Sequence, residues 1–179
     1  MRRRMWGRNP KTVSTDATVG TVRIDRKVWD VLRELHQRLP HVEFLVVLYG
    51  RRLGSAEFTV EEFYVPPQTV TAASVEPDMR DVPECMAGFE QVGTYHSHVN
   101  MSVFASGTDL RYLTSSFPIT LVGNNDGEVA GFVAEDANVF GDNYRLVARL
   151  EVHVERPKEL LEAAMTAATR IKVKKGGFK

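Results

Sequence analysis

The amino-acid sequence predicts an α/β protein, a central mixed sheet flanked by helices, and three observations carry that reading. Val28, Leu32, Leu35 and Leu39 recur at helical spacing directly after a strand-like segment. Residues 43–49 hold a continuous apolar run of the kind found in strands buried on both faces. Strand-like segments then alternate with helical patterns, as in a layered α/β domain. At 179 residues, 43% hydrophobic and 26% charged, the chain suits one domain with a proper core. That domain is placed at residues 19–172, between a basic flexible arm at 1–18, containing Arg2-Arg3-Arg4, and a basic flexible tail at 173–179.

The elements follow in order. Residues 19–24 read as a short strand, and Asp25 can cap a helix that Pro40 stops. Residues 43–49 form the central strand, Gly54 turns the chain, and residues 57–65 return as a hairpin partner ended by Pro66-Pro67. The segment 66–88 carries four prolines; it is expected to be a mobile loop beside the functional site, with a short strand at 70–75. A strand at 89–96 comes next, then a helix holding Asp109 capped by Ser106 or Thr108. Strands at 119–122, 128–134 and 144–154 complete the sheet, and Pro157 opens a helix to about residue 171.

The chemistry is concentrated between Gly93 and Leu110. There the chain reads Gly93-Thr94-Tyr95-His96-Ser97-His98, then seven residues, Ser106, two residues and Asp109. Side chains alternate across a strand, so His96 and His98 face one way while Ser97 turns away. An Asp three residues after a Ser lies one helical turn further on, so Ser106 and Asp109 share a face. Two imidazoles and a carboxylate leave a fourth tetrahedral position open, the arrangement of a catalytic zinc. Average composition would produce this pattern roughly once in several thousand chains of this length. His96 and His98 are expected to ligate through Nε2. His36, His41 and His153 lack ligand spacing and read as structural.

At these residues the sequence resembles the JAMM, or MPN-plus, metalloproteases, whose signature is an upstream Glu followed by His-x-His, seven residues, Ser, two residues and Asp. Val92-Gly93-Thr94-Tyr95-His96-Ser97-His98 is most similar to the proteasome-lid deubiquitinase and its archaeal relatives. The likeness covers roughly residues 21–154. It implies a JAMM (MPN, cytidine-deaminase-like) layout, a Zn2+ cofactor held by His96, His98 and Asp109, and Glu43, within Glu43-Phe44-Leu45-Val46-Val47-Leu48-Tyr49-Gly50, as general base. It departs from the family at Val46, where Gly is common, and at Val99, where Pro usually follows the second His. The activity implied is hydrolysis of the isopeptide bond between the C-terminal glycine of a ubiquitin-like modifier and a lysine, with Ser106 donating to the developing oxyanion. Partners implied are the modifier, its conjugates, and a proteasome or AAA-ATPase assembly. Two alternatives within the likeness are a peptidase that processes a sulfur-carrier or modifier precursor, and a non-catalytic scaffold, which generally lacks the ligands.

Other classes are excluded by composition. Lys plus Arg and Asp plus Glu each total 23, leaving no global field for nucleic acid or membrane. Cys85 is the only cysteine, so an intrachain disulfide and a Cys-rich zinc site are ruled out; with no membrane-length apolar run, the protein reads as cytoplasmic. A zinc deaminase needs His-x-Glu and Pro-Cys-x-x-Cys, and neither is present.

Overall fold

β-Branched residues interleaved with polar ones through Lys11–Ile24 form the long strand β1, exposed in its first half and buried at Val22 and Ile24. The structure is a computed structural model that describes residues 11–99, 101–107, 109–113, 117–139 and 142–155. After β1, Asp25 caps α1 (Arg26–Arg38), its carboxylate accepting from the Lys27 amide at 2.8 Å. The helix closes at Leu39, whose N–H donates to Leu35 O, and Pro40 prevents another turn. Then come β2 (Leu45–Arg52), β3 (Glu57–Tyr64), β4 (Gln68–Val70), β5 (Val75–Pro77), β6 (Cys85–Met86) and β7 (Phe89–His98). The single-turn α2 (Asp109–Tyr112) precedes β8 (Ile119–Asn124), β9 (Val129–Val139) and β10 (Asp142–Val154).

Eight strands form one mixed sheet in the order β2-β3-β1-β10-β9-β8-β7-β6, and a further pairing of β2 with β7 closes it into a ring. β1 runs parallel to both β3 and β10, and β7 parallel to β8; the remaining neighbours are antiparallel. The main hydrophobic cluster takes residues from every ring strand, among them Ile24, Val46, Phe58, Tyr95, Leu121, Val133 and Leu150, and from α1 through Val28 and Leu32. Such a set can meet only inside the ring, so α1 is its plug.

This overturns the α/β expectation and the JAMM (MPN, cytidine-deaminase-like) layout of a central mixed sheet flanked by helices. Among the described residues the protein is mostly β, with α1 and one turn of α2. The physical reason lies in the apolar run of β2. Val46 and Leu48 face the ring interior, whereas Leu45, Val47 and Tyr49 lie in a separate cluster with Val70, Val75, Met79, Val82 and Met86. A strand buried on both faces needs two covers, but neither has to be a helix. Here the second cover is the 66–88 segment. It forms the β4–β5 hairpin in place of a single strand at 70–75, and Pro83 O accepts from both Tyr49 Oη and Gln91 Nε2 at 2.6 Å. Residues 11–18, assigned to the basic arm, lie in β1 and pair with β10. Arg2-Arg3-Arg4, Thr108, the helix expected at 157–171 and the tail at 173–179 fall outside the described residues. Among the described residues no helix is long and apolar enough to cross a membrane.

One polar network is built into the interior. Tyr95 Oη meets His36 Nε2 at 2.6 Å, and His36 Nδ1 meets Asn125 Oδ1 at 2.9 Å, while Asn125 Nδ2 donates to Pro40 O. Gly123 makes room for it: a Cβ there would lie 1.8 Å from Tyr95 Oη. Burial lowers the His36 pKa below 6.5; the Asn125 bond opposes that shift, and the nearby Arg33 charge adds to it. The unfolded chain therefore binds more protons in the window between the folded pKa and 6.5, so this contribution to stability is whole above pH 6.5 and declines as pH falls through the window. We predict that the unfolding free energy of His36→Gln, measured by urea titration, will fall less steeply than wild type between pH 7 and pH 5. Identical slopes would remove His36 from the acid response.

Candidate metal centre

β7 sorts its residues by alternation. Tyr95 points into the ring, while Thr94, His96 and His98 point outward, Thr94 Oγ1 lying 3.1 Å from Thr120 Oγ1 of β8. On the outer face His96 is flanked by Leu45 of β2 and Val122 of β8, its partners in register. Leu45 belongs to the cluster under the 66–88 segment and Val122 to a third cluster with Leu113, Phe132 and Val147, packed by Ala105 and Leu110. The two histidines thus stand in the seam between two apolar caps.

Asp109 comes to them from the other side. Ser106 N donates to Asp109 Oδ2 at 2.6 Å and Asp109 N donates to Ser106 Oγ at 3.3 Å, a reciprocal capping box that aims the carboxylate before any ligand is present. Asp109 Oδ1 bonds to His96 Nδ1, and Asp109 Oδ2 lies 3.6 Å from His98 Nε2. His98 Nδ1 donates to Ser102 O at 3.2 Å, which leaves Nε2 turned toward Asp109. His96 differs from expectation. Its Nδ1 faces Asp109, and its Nε2 faces Glu43 Oε2 at 3.4 Å.

Glu43 lies two residues before β2, at 4% exposure, with His96 at 4% and His98 and Asp109 at 1% each. Four titratable side chains sealed from water cost free energy unless their charges are matched. Burial opposes ionisation of Asp109, yet hydrogen bonds from His96, His98 and Ser106 outweigh it and hold the carboxyl well below the usual carboxylate range. Burial also pulls the His98 pKa down, but Asp109, the Ser102 carbonyl and Glu43 together raise it above 6.5.

One atom is left over. His96 Nε2 is buried with no hydrogen-bond partner, and Glu43 Oε2 faces it at 3.4 Å. The ligand atoms offered by His96, His98 and Asp109 all fall within 4.8 Å of one another, so this buried group can hold a metal ion. With both imidazoles neutral and both carboxylates ionised, the four side chains carry two negative charges, which one divalent cation neutralises.

The structure therefore brings Glu43, His96, His98, Ser106 and Asp109 together. Sequence reasoning passed over four supports. Ser97, which turns away as expected, accepts from Phe44 N at 2.7 Å through Oγ. Gln68 and Thr71 bond the backbone around Glu43, and Asn124 Nδ2, bonded to Glu128 Oε2 at 2.7 Å, also reaches Met101 O near the His98 loop. None carries a local signal, since each is an ordinary polar residue whose value depends on what folds beside it. No protein-family model matches the chain, and no curated protein matches it.

Metal binding at this site requires a neutral His98. Because its pKa is raised in the metal-free protein, protons compete with the ion up to and beyond pH 6.5. We predict that Zn2+ affinity, measured by competition with a chromogenic chelator, will fall by about tenfold per pH unit below the His98 pKa. In His98→Ala most of the affinity should be lost; a pH-independent wild type would exclude His98 as a ligand.

Proposed function

We propose that this chain is a zinc-dependent isopeptidase acting on the bond between the C-terminal glycine of a ubiquitin-like modifier and a substrate lysine. The observation that carries the reading is the placement of Glu43 Oε2 3.4 Å from His96 Nε2, at the edge of a buried His-His-Asp group. A metal site with a purely structural role would be closed by a fourth protein ligand, and has no need of a second carboxylate poised beside it. The sequence spacing adds support through its resemblance to the JAMM motif, which pairs the same residue types with this reaction.

Held by His96, His98 and Asp109, a zinc ion would supply an acidified water and polarise a carbonyl. Glu43 acts as general base and takes the proton of the attacking water. The same carboxyl then returns that proton to the departing lysine amine, so that it leaves neutral. Ser106 Oγ accepts from Asp109 N, which leaves its hydroxyl hydrogen available to donate to the oxyanion of the tetrahedral intermediate. With an ion bound, His96 and His98 would stay in the neutral form that ligation needs. Phe104 lies edge-on to His98 at 5.7 Å between centroids and is 45% exposed, as is Met101, so an apolar surface is presented to substrate at the rim.

Processing of a modifier or sulfur-carrier precursor would use the same chemistry on a linear peptide, and the substrate panel separates the two. Zinc-loaded protein is to be incubated with lysine-linked conjugates and with linear precursors of Gly-Gly-terminated modifiers, with and without a chelator. Chelator-sensitive release from the lysine-linked conjugates supports the isopeptidase. Glu43→Gln should retain the metal and lower turnover by about 10² to 10⁴. Wild-type turnover in that variant, or no cleavage of any conjugate, would sink the reading.

A further inference from the structure

The backbone that carries Glu43 is held from two sides. Toward β7, Phe44 N donates to Ser97 Oγ at 2.7 Å and Ser97 N donates to Phe44 O at 2.9 Å. On the other side β3 has already ended at Tyr64, and the strand edge at Leu45 would be bare. The Gln68 side chain takes the place of the missing strand. Its Oε1 accepts from Leu45 N at 2.8 Å, and its Nε2 donates to Leu45 O at 3.0 Å and to Pro66 O at 3.2 Å. Three residues on, Thr71 O accepts from Glu43 N at 2.8 Å, and Thr71 is itself fixed by a tight turn in which its N–H donates to Ser74 O.

We propose that Gln68, backed by Thr71, is a positioning residue for Glu43: its primary amide acts as a one-residue strand that sets where the Glu43 carboxylate stands relative to His96. The inference rests on the reading of Glu43 as general base. An amide side chain is the one group that copies the donor and acceptor of a strand neighbour while leaving the chain free to turn away at Pro66-Pro67. The pairing also explains how residues 66–71 are held against β2 although β4 gives its ladder bonds to β5 and Pro66-Pro67 carry no N–H to donate.

Three measurements test this. In the metal-free protein, amide hydrogen exchange of Gln68→Ala should quicken at Leu45 and Glu43 while Phe44, bonded to Ser97, stays protected. In the zinc-loaded enzyme the same substitution should lower kcat by about tenfold to a hundredfold, with KM and zinc content little changed, the cost of a general base displaced by a fraction of an ångström to an ångström. Placed in a Glu43→Gln background it should cost nothing further, because a residue that acts through Glu43 has no effect once Glu43 cannot take the proton. Gln68→Glu preserves side-chain volume but removes both donated bonds, so it should behave like the alanine variant and serves if that variant fails to fold. Unchanged exchange at Leu45, unchanged kcat, or an equal loss in the Glu43→Gln background would overturn the role of Gln68 while leaving Glu43 as base. A wild-type protein that cleaves no conjugate would instead overturn the hydrolase reading and this inference with it.

Discussion

Everything at the centre depends on the pairing of β2 with β7. In the strand order these two lie at opposite ends of the ring strands, and an open sheet would hold residues 43 and 96 far apart. Closure sets Leu45 opposite His96 and lets Ser97 grip Phe44, which delivers Glu43 to the unpartnered side of the His96 ring. The register is protected by burial on both faces. A slip of one residue would exchange Val46 and Leu48, which face the ring interior, with Leu45 and Val47, which face the outer cap, and would carry the histidine partner with them.

The interior cluster supplies the driving force for that closure. It draws apolar side chains from every ring strand, each fully buried Val, Leu or Phe worth roughly 1.5–3 kcal/mol, and α1 fills the space that curvature leaves. The outer face is divided differently. Two smaller clusters sit there, one under residues 66–88 and one packed by Ala105, Leu110 and Leu113, and the candidate metal-binding side chains occupy the line between them. Polar side chains on this line are desolvated by their neighbours without being placed in the core itself. This raises the worth of each electrostatic interaction among them.

Within the line, most of the side chains are aimed by a second partner. Ser106 fixes Asp109, Ser102 fixes His98, and Gln68, Thr71 and Ser97 fix the backbone of Glu43. His96 is the exception on its Nε2 side, where nothing but the 3.4 Å approach of Glu43 answers it. A group so heavily oriented, with one nitrogen left unmet, has the form of a site completed by something other than the chain. The stored cost of gathering buried acids and imidazoles is offset when a divalent cation balances their charge.

The grouping of His96, His98 and Asp109 was legible because its code is local: two-residue alternation places His96 and His98 together, and a three-residue step in a capping box orients Asp109. The strand identities of β2, β3, β7, β8 and β10 and the cap at Asp25 were legible for the same reason, each resting on periodicity or on one side chain reaching its own neighbours. Ring closure was not, since alternation says that a strand has two faces and says nothing about what covers them. The apolar run of β2 looked like a strand between helices, and only the folded chain showed a ring interior on one side and a proline-rich segment on the other. The same holds for Gln68, Thr71 and Ser97. Amphipathic period and motif spacing were set by the sequence alone, whereas the charge environment, the facing nitrogen of His96 and the clamp on Glu43 were decided by tertiary structure, because they arise between residues that only packing across a closed sheet makes neighbours.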